Sequence, residues 1–110
     1  MSGGVRVAPR TLTPEEIDCL VDGLVCFWQD GEKRHYGLPS RQGGWLTLVT
    51  VFSNGEVCLL GSLVVLRCAT REQMTYWKRV SYLQVAPSSR NVLRAFWDRV
   101  PGIWKGALEV

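Results

Sequence analysis

The chain has 110 residues, 46% of them apolar, and a formal net charge of +3. That length and composition suit one globular domain with one core, and the longest apolar stretch, Val57 to Leu66, is about half of what a membrane-spanning helix needs. No acceptor for N-glycosylation and no apolar leader core stand in the sequence, so the expectation is an intracellular protein, cytoplasmic or nuclear, without a membrane partner.

Residues 1–11, rich in glycine and closing near Pro9, read as a flexible arm, and residues 12–110 as the domain. Thr13-Pro14-Glu15-Glu16 places threonine at a helix N-cap, proline at the first helical position and glutamate where its carboxylate can return to the cap amide. Ile17, Leu20, Val21, Leu24, Val25 and Trp28 recur at three- and four-residue intervals, which predicts one amphipathic helix ending at Asp30-Gly31. On such a helix Cys19 and Cys26 lie roughly 10 Å apart, too far for a disulfide.

Glu32 to Gly44 is polar and carries Gly37, Gly43, Gly44 and Pro39, the composition of a long exposed loop. Trp45 to Arg67 then reads as two apolar strands joined at Asn54-Gly55, a strong hairpin signal because a type I′ turn needs positive φ at both central residues. With Ser53 opposite Glu56, strict alternation puts Trp45, Val49, Val51, Cys58, Leu60 and Val64 on one face. It puts Leu46, Leu48, Phe52, Val57, Leu59 and Leu63 on the other. Both faces are apolar, so both require cover.

Residues 69–85 carry conflicting signals, helix or strand across 70–83. Met74, Trp77 and Ser81 share a helical face, whereas Thr75, Tyr76, Val80, Tyr82 and Val85 favour a strand; a third antiparallel strand across 75–85 is the expectation. Pro87-Ser88-Ser89 opens a final helix with Val92, Leu93, Phe96, Trp97 and Val100 as its apolar stripe, stopped by Pro101-Gly102. The predicted fold class is therefore α+β: an N-terminal helix, an antiparallel hairpin with a third strand, and a C-terminal helix in one two-layer domain.

No arrangement of reactive residues amounts to a catalytic site. His35 is the only histidine, and every cysteine lies in an apolar run where thiols pack rather than react. Cysteine and histidine spacings fit no zinc pattern, the glycines after Tyr36 lack the Gly-Lys-Ser/Thr of a phosphate loop, and Glu15-Glu16 belong to the helix cap. A non-enzymatic module without metal or cofactor follows.

Charge is unevenly spread: residues 1–32 hold six acids against Arg6 and Arg10, giving −4, and the remainder holds eleven bases against four acids, giving +7. Five tryptophans in so short a chain exceed the needs of a small core, and tryptophan dominates interface hot spots. The leading expectation is a regulatory protein–protein interaction module that forms a homodimer, with Trp45, Leu46, Leu48, Phe52, Leu59, Leu63 and Trp104 at the partner interface and Trp28 and Trp97 in the core. The alternative is RNA or single-stranded DNA binding through Lys33, Arg34, Tyr36 and Arg41 of the 33–41 loop and Tyr76, Lys78 and Arg79 of the 76–82 segment, where cations alternate with aromatic rings.

Overall fold

The computed structural model of the chain describes residues 10–59 and 71–103. The elements are β1 (Arg10–Thr11), α1 (Pro14–Leu20), β2 (Val25–Gln29), β3 (Lys33–Pro39), β4 (Trp45–Phe52), β5 (Glu56–Leu59), α2 (Arg71–Gln84), a 3₁₀ turn (Pro87–Ser89) and α3 (Arg90–Ile103). The strands form one five-stranded antiparallel sheet in the order β1-β5-β4-β3-β2. The fold is α+β, with more sheet and a different helix assignment than the sequence predicts.

Helix α1 begins where its cap dictates. Thr13 Oγ1 accepts from the Glu16 amide at 3.1 Å and Glu16 Oε1 accepts from the Thr13 amide at 2.9 Å, a complete capping box. The helix ends at Leu20 rather than at Asp30, because Gly23 adopts φ +83° and turns the chain. A Cβ on Gly23 would also sit 2.9 Å from Val92 Cγ1, so close packing on α3 and backbone conformation demand glycine together. Arg99 of α3 holds the same corner, its Nη2 donating to the carbonyls of Leu20 at 3.2 Å and Asp22 at 2.7 Å. A cation thereby satisfies the exposed carbonyl end of α1.

Residues after Gly23 form strand β2, which removes Cys26 and Trp28 from the predicted helix. The predicted exposed loop is likewise mostly strand: β2 and β3 make a hairpin across Asp30-Gly31-Glu32. Asp30 Oδ1 accepts from the amides of Glu32 at 2.7 Å and Lys33 at 2.9 Å, which closes this turn and pulls the Asp30 carboxyl below its usual range. Arg10 and Thr11, read as part of the arm, pair with Val57 and Glu56 as β1.

The Asn54-Gly55 hairpin forms, with one residue of register difference from the expectation. Val51 pairs with Val57, Thr50 with Cys58 and Val49 with Leu59, leaving a three-residue loop of Ser53, Asn54 and Gly55. Gly55 takes φ +90°, its amide donates to the Phe52 carbonyl at 2.9 Å, and Asn54 Oδ1 accepts from the Glu56 amide at 3.0 Å. Such loops combine a turn with a left-handed glycine in place of a two-residue type I′ turn.

A second departure from strict alternation is the bulge between β3 and β4. Tyr36 pairs with Val49 and Gly37 with Thr47, so Leu48 is the extra residue. Leu48 and Val49 are successive, yet both belong to the core and are fully buried. Register shift and bulge together send Leu46, Leu48, Val49, Val51, Val57 and Leu59 to one side, against α1, α2 and α3. The expectation of two equally apolar faces is thus corrected: most of that bulk lines a single core.

Residues 71–84 are helix α2, which overturns the predicted third strand across 75–85. Met74 and Ser81 are buried and Trp77 packs against the core, while the strand-favouring Thr75, Tyr76 and Tyr82 are exposed. Burial of the helical face decides the conformation over local preference. Ser81 Oγ donates to the Lys78 carbonyl and receives the Trp97 indole N–H, both at 2.9 Å, joining α2 to α3. The end of α2 is fastened to the turn after β3 by Arg41 N to Gln84 O and Ala86 N to Pro39 O, each 2.8 Å. Helix α3 runs through Pro101 to Ile103, past the predicted stop.

Candidate interaction face

Side chains of β2, β3 and β4 that point away from the helices make the candidate site. Val25 faces Gly37 and Trp28 faces His35, so both share the side on which Trp45, opposite Pro39, and Thr50, opposite His35, also lie. Alternation from Val25 keeps Phe27 on this side and alone would send Trp28 to the core. A bulge between Cys26 and Trp28 makes Phe27 the extra residue, and two successive aromatic side chains reach the same face.

Four rings form a continuous row there. Phe27 stacks on Trp45 with centroids 5.3 Å apart and planes 3° from parallel. Phe27 also stacks on His35 at 6.1 Å and 19°, and His35 meets Trp28 at 5.0 Å and 33°. Gly37 makes the row possible. A Cβ at that position would collide with the Leu46 carbonyl oxygen and lie 3.1 Å from Phe27 Cε1, so only glycine lets the Phe27 ring cross the strand.

His35 is fixed from behind, with Nδ1 2.9 Å from the hydroxyl of Thr50, which is itself buried. Burial among the rings, aided by the charge of Lys33, lowers the His35 pKa from its usual 6.5. The imidazole is therefore neutral at neutral pH, and the row carries no formal charge. Val25, Trp28 and Trp45 remain 42%, 44% and 46% exposed, a cluster of large apolar groups in water beside β2, the last strand of the sheet.

The residues predicted from sequence divide among three places. Of the partner-interface set, Trp45 belongs to this face and Phe52 is half-buried at the end of β4 opposite Lys33. Leu48 and Leu59 are buried in the core and Leu46, half-buried, packs against it, while Leu63 and Trp104 lie outside the described residues. Trp28, read as a core residue on a helix, is instead half-exposed on β2; Trp97 is in the core as predicted.

The basic and aromatic set does not form one surface. Lys33, Arg34 and Tyr36 are on β3, with Tyr36 packed against the core and the Arg34 guanidinium 5.6 Å above its ring. Arg41 donates to the Leu83 carbonyl at 3.3 Å, and Tyr76, Lys78 and Arg79 project from α2. Val25, Phe27, Trp28 and His35 are the site residues that sequence reasoning missed. The available signal was Asp30-Gly31 between two runs that can pair, a hairpin mark outweighed by helical spacing across residues 17–28.

No group of three or more potential metal-binding side chains occurs among the described residues, and none of their helices is long and apolar enough to cross a membrane. No family model, curated protein or solved structure matches the chain.

Proposed function

We propose that the chain is a non-enzymatic interaction module that binds a second copy of itself through the aromatic face of its sheet and acts by presenting that dimer to a protein partner. The observation that carries this reading is the solvent-exposed row of Trp45, Phe27, His35 and Trp28, with Val25 beside it. Each large apolar side chain taken fully out of water contributes roughly 1.5–3 kcal/mol, and tryptophan is the residue most enriched at binding hot spots. The adjoining edge of β2 is antiparallel to β3, and an edge strand can pair with its own copy about a two-fold axis. Exposed thiols at Cys19 and Cys26 suit a reducing compartment, the cytoplasm or nucleus.

Sedimentation equilibrium over micromolar concentrations tests the proposal. Wild type sediments as a dimer, and the Trp28→Glu/Trp45→Glu variant, folded by circular dichroism, as a monomer. A wild-type monomer throughout that range contradicts it.

Single-stranded nucleic acid is a second reading, favoured by the same exposed rings with Lys33 on the neighbouring strand, since bases stack on sheet-borne aromatics. Quenching of tryptophan fluorescence by mixed oligonucleotides, weakening with salt and lost in Trp28→Ala, is its signature.

A further inference from the structure

Residues of α2 and α3 line a surface groove of about 430 Å³. Its floor is apolar: Leu93 and Trp97 close the bottom, and Leu83 and Tyr82 form a wall that is 54% and 39% exposed. Its rim is basic. Lys78 and Arg79 on α2 and Arg94 on α3 surround the opening, with Asp98 the one acid among the lining residues.

We infer that this groove docks an acidic amphipathic segment of another protein, a short helix that sets an apolar side chain against Leu83, above the buried Leu93 and Trp97, and carboxylates against Lys78, Arg79 and Arg94. Charge complementarity selects the occupant's sign, because three cations crowded on a rim with one acid repel each other until an anionic partner neutralises them. The floor selects its chemistry. A nucleobase needs an open ring face to stack on, and both aromatic rings of the groove are already engaged within the protein. Trp97 is buried with its N–H bonded to Ser81, and the Arg90 guanidinium covers Tyr82 at 4.5 Å from the ring centroid. The most exposed apolar side chain of the groove is that of Leu83, which calls for an apolar side chain opposite. Helix-in-groove recognition supplies this combination of apolar anchors and flanking charge. The groove is formed by helices and the aromatic row by strands; Leu83 and Trp45 both border the cavity around Arg41, but the groove's lining contains no residue of the row, and the inference stands without the proposed dimerisation.

The test uses the full chain with methyl-labelled leucine and a synthetic helical peptide bearing leucine at one-turn spacing and glutamate on both flanks. A second peptide replaces each glutamate with lysine, and a mixed single-stranded oligonucleotide serves as a third probe. The glutamate peptide shifts the Leu83 and Leu93 methyl resonances and the lysine peptide leaves them in place. In Arg79→Glu/Arg94→Glu the preference inverts, a change that loss of stability alone does not produce. Leu83→Asp, at an exposed position, weakens glutamate-peptide binding at least tenfold. Absence of shifts at millimolar glutamate peptide, equal response to both peptides, or stronger displacement of these methyls by the oligonucleotide each overturns the inference.

Discussion

Replacing Gly37 with alanine puts a methyl group where the backbone of Leu46 already lies. The added carbon would meet the Leu46 carbonyl oxygen, stand 2.8 Å from its carbonyl carbon and 3.1 Å from Phe27 Cε1. Neither obstacle on Leu46 is a flexible side-chain end, so relief requires β3 and β4 to separate at the bulge, and the approach to Phe27 presses on its stack with Trp45 as well. Overpacking of this kind costs about 1–3 kcal/mol. For a domain of this size each 1 kcal/mol lowers the melting temperature by roughly 4–8 °C, so Gly37→Ala should melt at least about 4 °C below wild type. Gly31→Ala is the matched control: nothing lies within 4 Å of its Cβ and its φ is not in the left-handed region. That change should leave the melting temperature within a few degrees or raise it, since alanine restricts the unfolded chain by about 0.4–1 kcal/mol. Thermal unfolding by far-ultraviolet circular dichroism measures both, and near-ultraviolet dichroism reports the Phe27–Trp45 stack. Equal melting temperatures for Gly37→Ala and wild type would refute the account of how the aromatic row is held.

Arg99→Ala removes the donor that meets the carbonyls of Leu20 and Asp22, and hydrogen bonds from a charged group are worth about 1.5–3 kcal/mol; urea unfolding should show a loss of that order. Ser81→Ala leaves the buried Trp97 N–H without its acceptor, at about 1–3 kcal/mol by the same assay, whereas Ser81→Thr keeps the hydroxyl and loses less. Because the His35 pKa is lower folded than unfolded, the unfolded chain takes up more protons as the pH falls below 6.5. Stability should therefore drop with acidification from about pH 6.5 until the folded-state pKa is passed, and His35→Gln should flatten this part of the curve.

Local chemistry made some elements legible. The capping box at Thr13 and Glu16 and the turn at Asn54-Gly55 each depend on a few adjacent residues, and each is present; Pro87–Ser89 does lead into the last helix, but as a 3₁₀ turn with Ala86 rather than a serine at its N-cap. The sites where reading failed are those where distant residues decide. Leu48 and Phe27 are extra residues in bulges, and one such residue reverses the side on which the strand's remaining side chains fall. Periodicity across Ile17 to Trp28 suits a helix, but Gly23 must take a left-handed conformation against Val92, a partner far along the chain. In α2, the strand-favouring Thr75, Tyr76 and Tyr82 sit in water, where preference has no packing to act through, and buried Met74 and Ser81 set the outcome. The apolar side chains that the sheet leaves partly in water are not the expected set: Trp45 stays, joined by Val25, Phe27 and Trp28.

Hydrogen exchange of the β2 backbone as a function of protein concentration tests the central claim most directly. Among the described residues β2 is the outer strand of the sheet, so its outward amides are expected to exchange freely in a monomer. If the aromatic face and its edge join two copies, protection over residues 25–29 rises between nanomolar and high-micromolar protein, and the rise disappears in Trp28→Glu/Trp45→Glu. Protection over 25–29 that is the same at both concentrations would contradict association through this face.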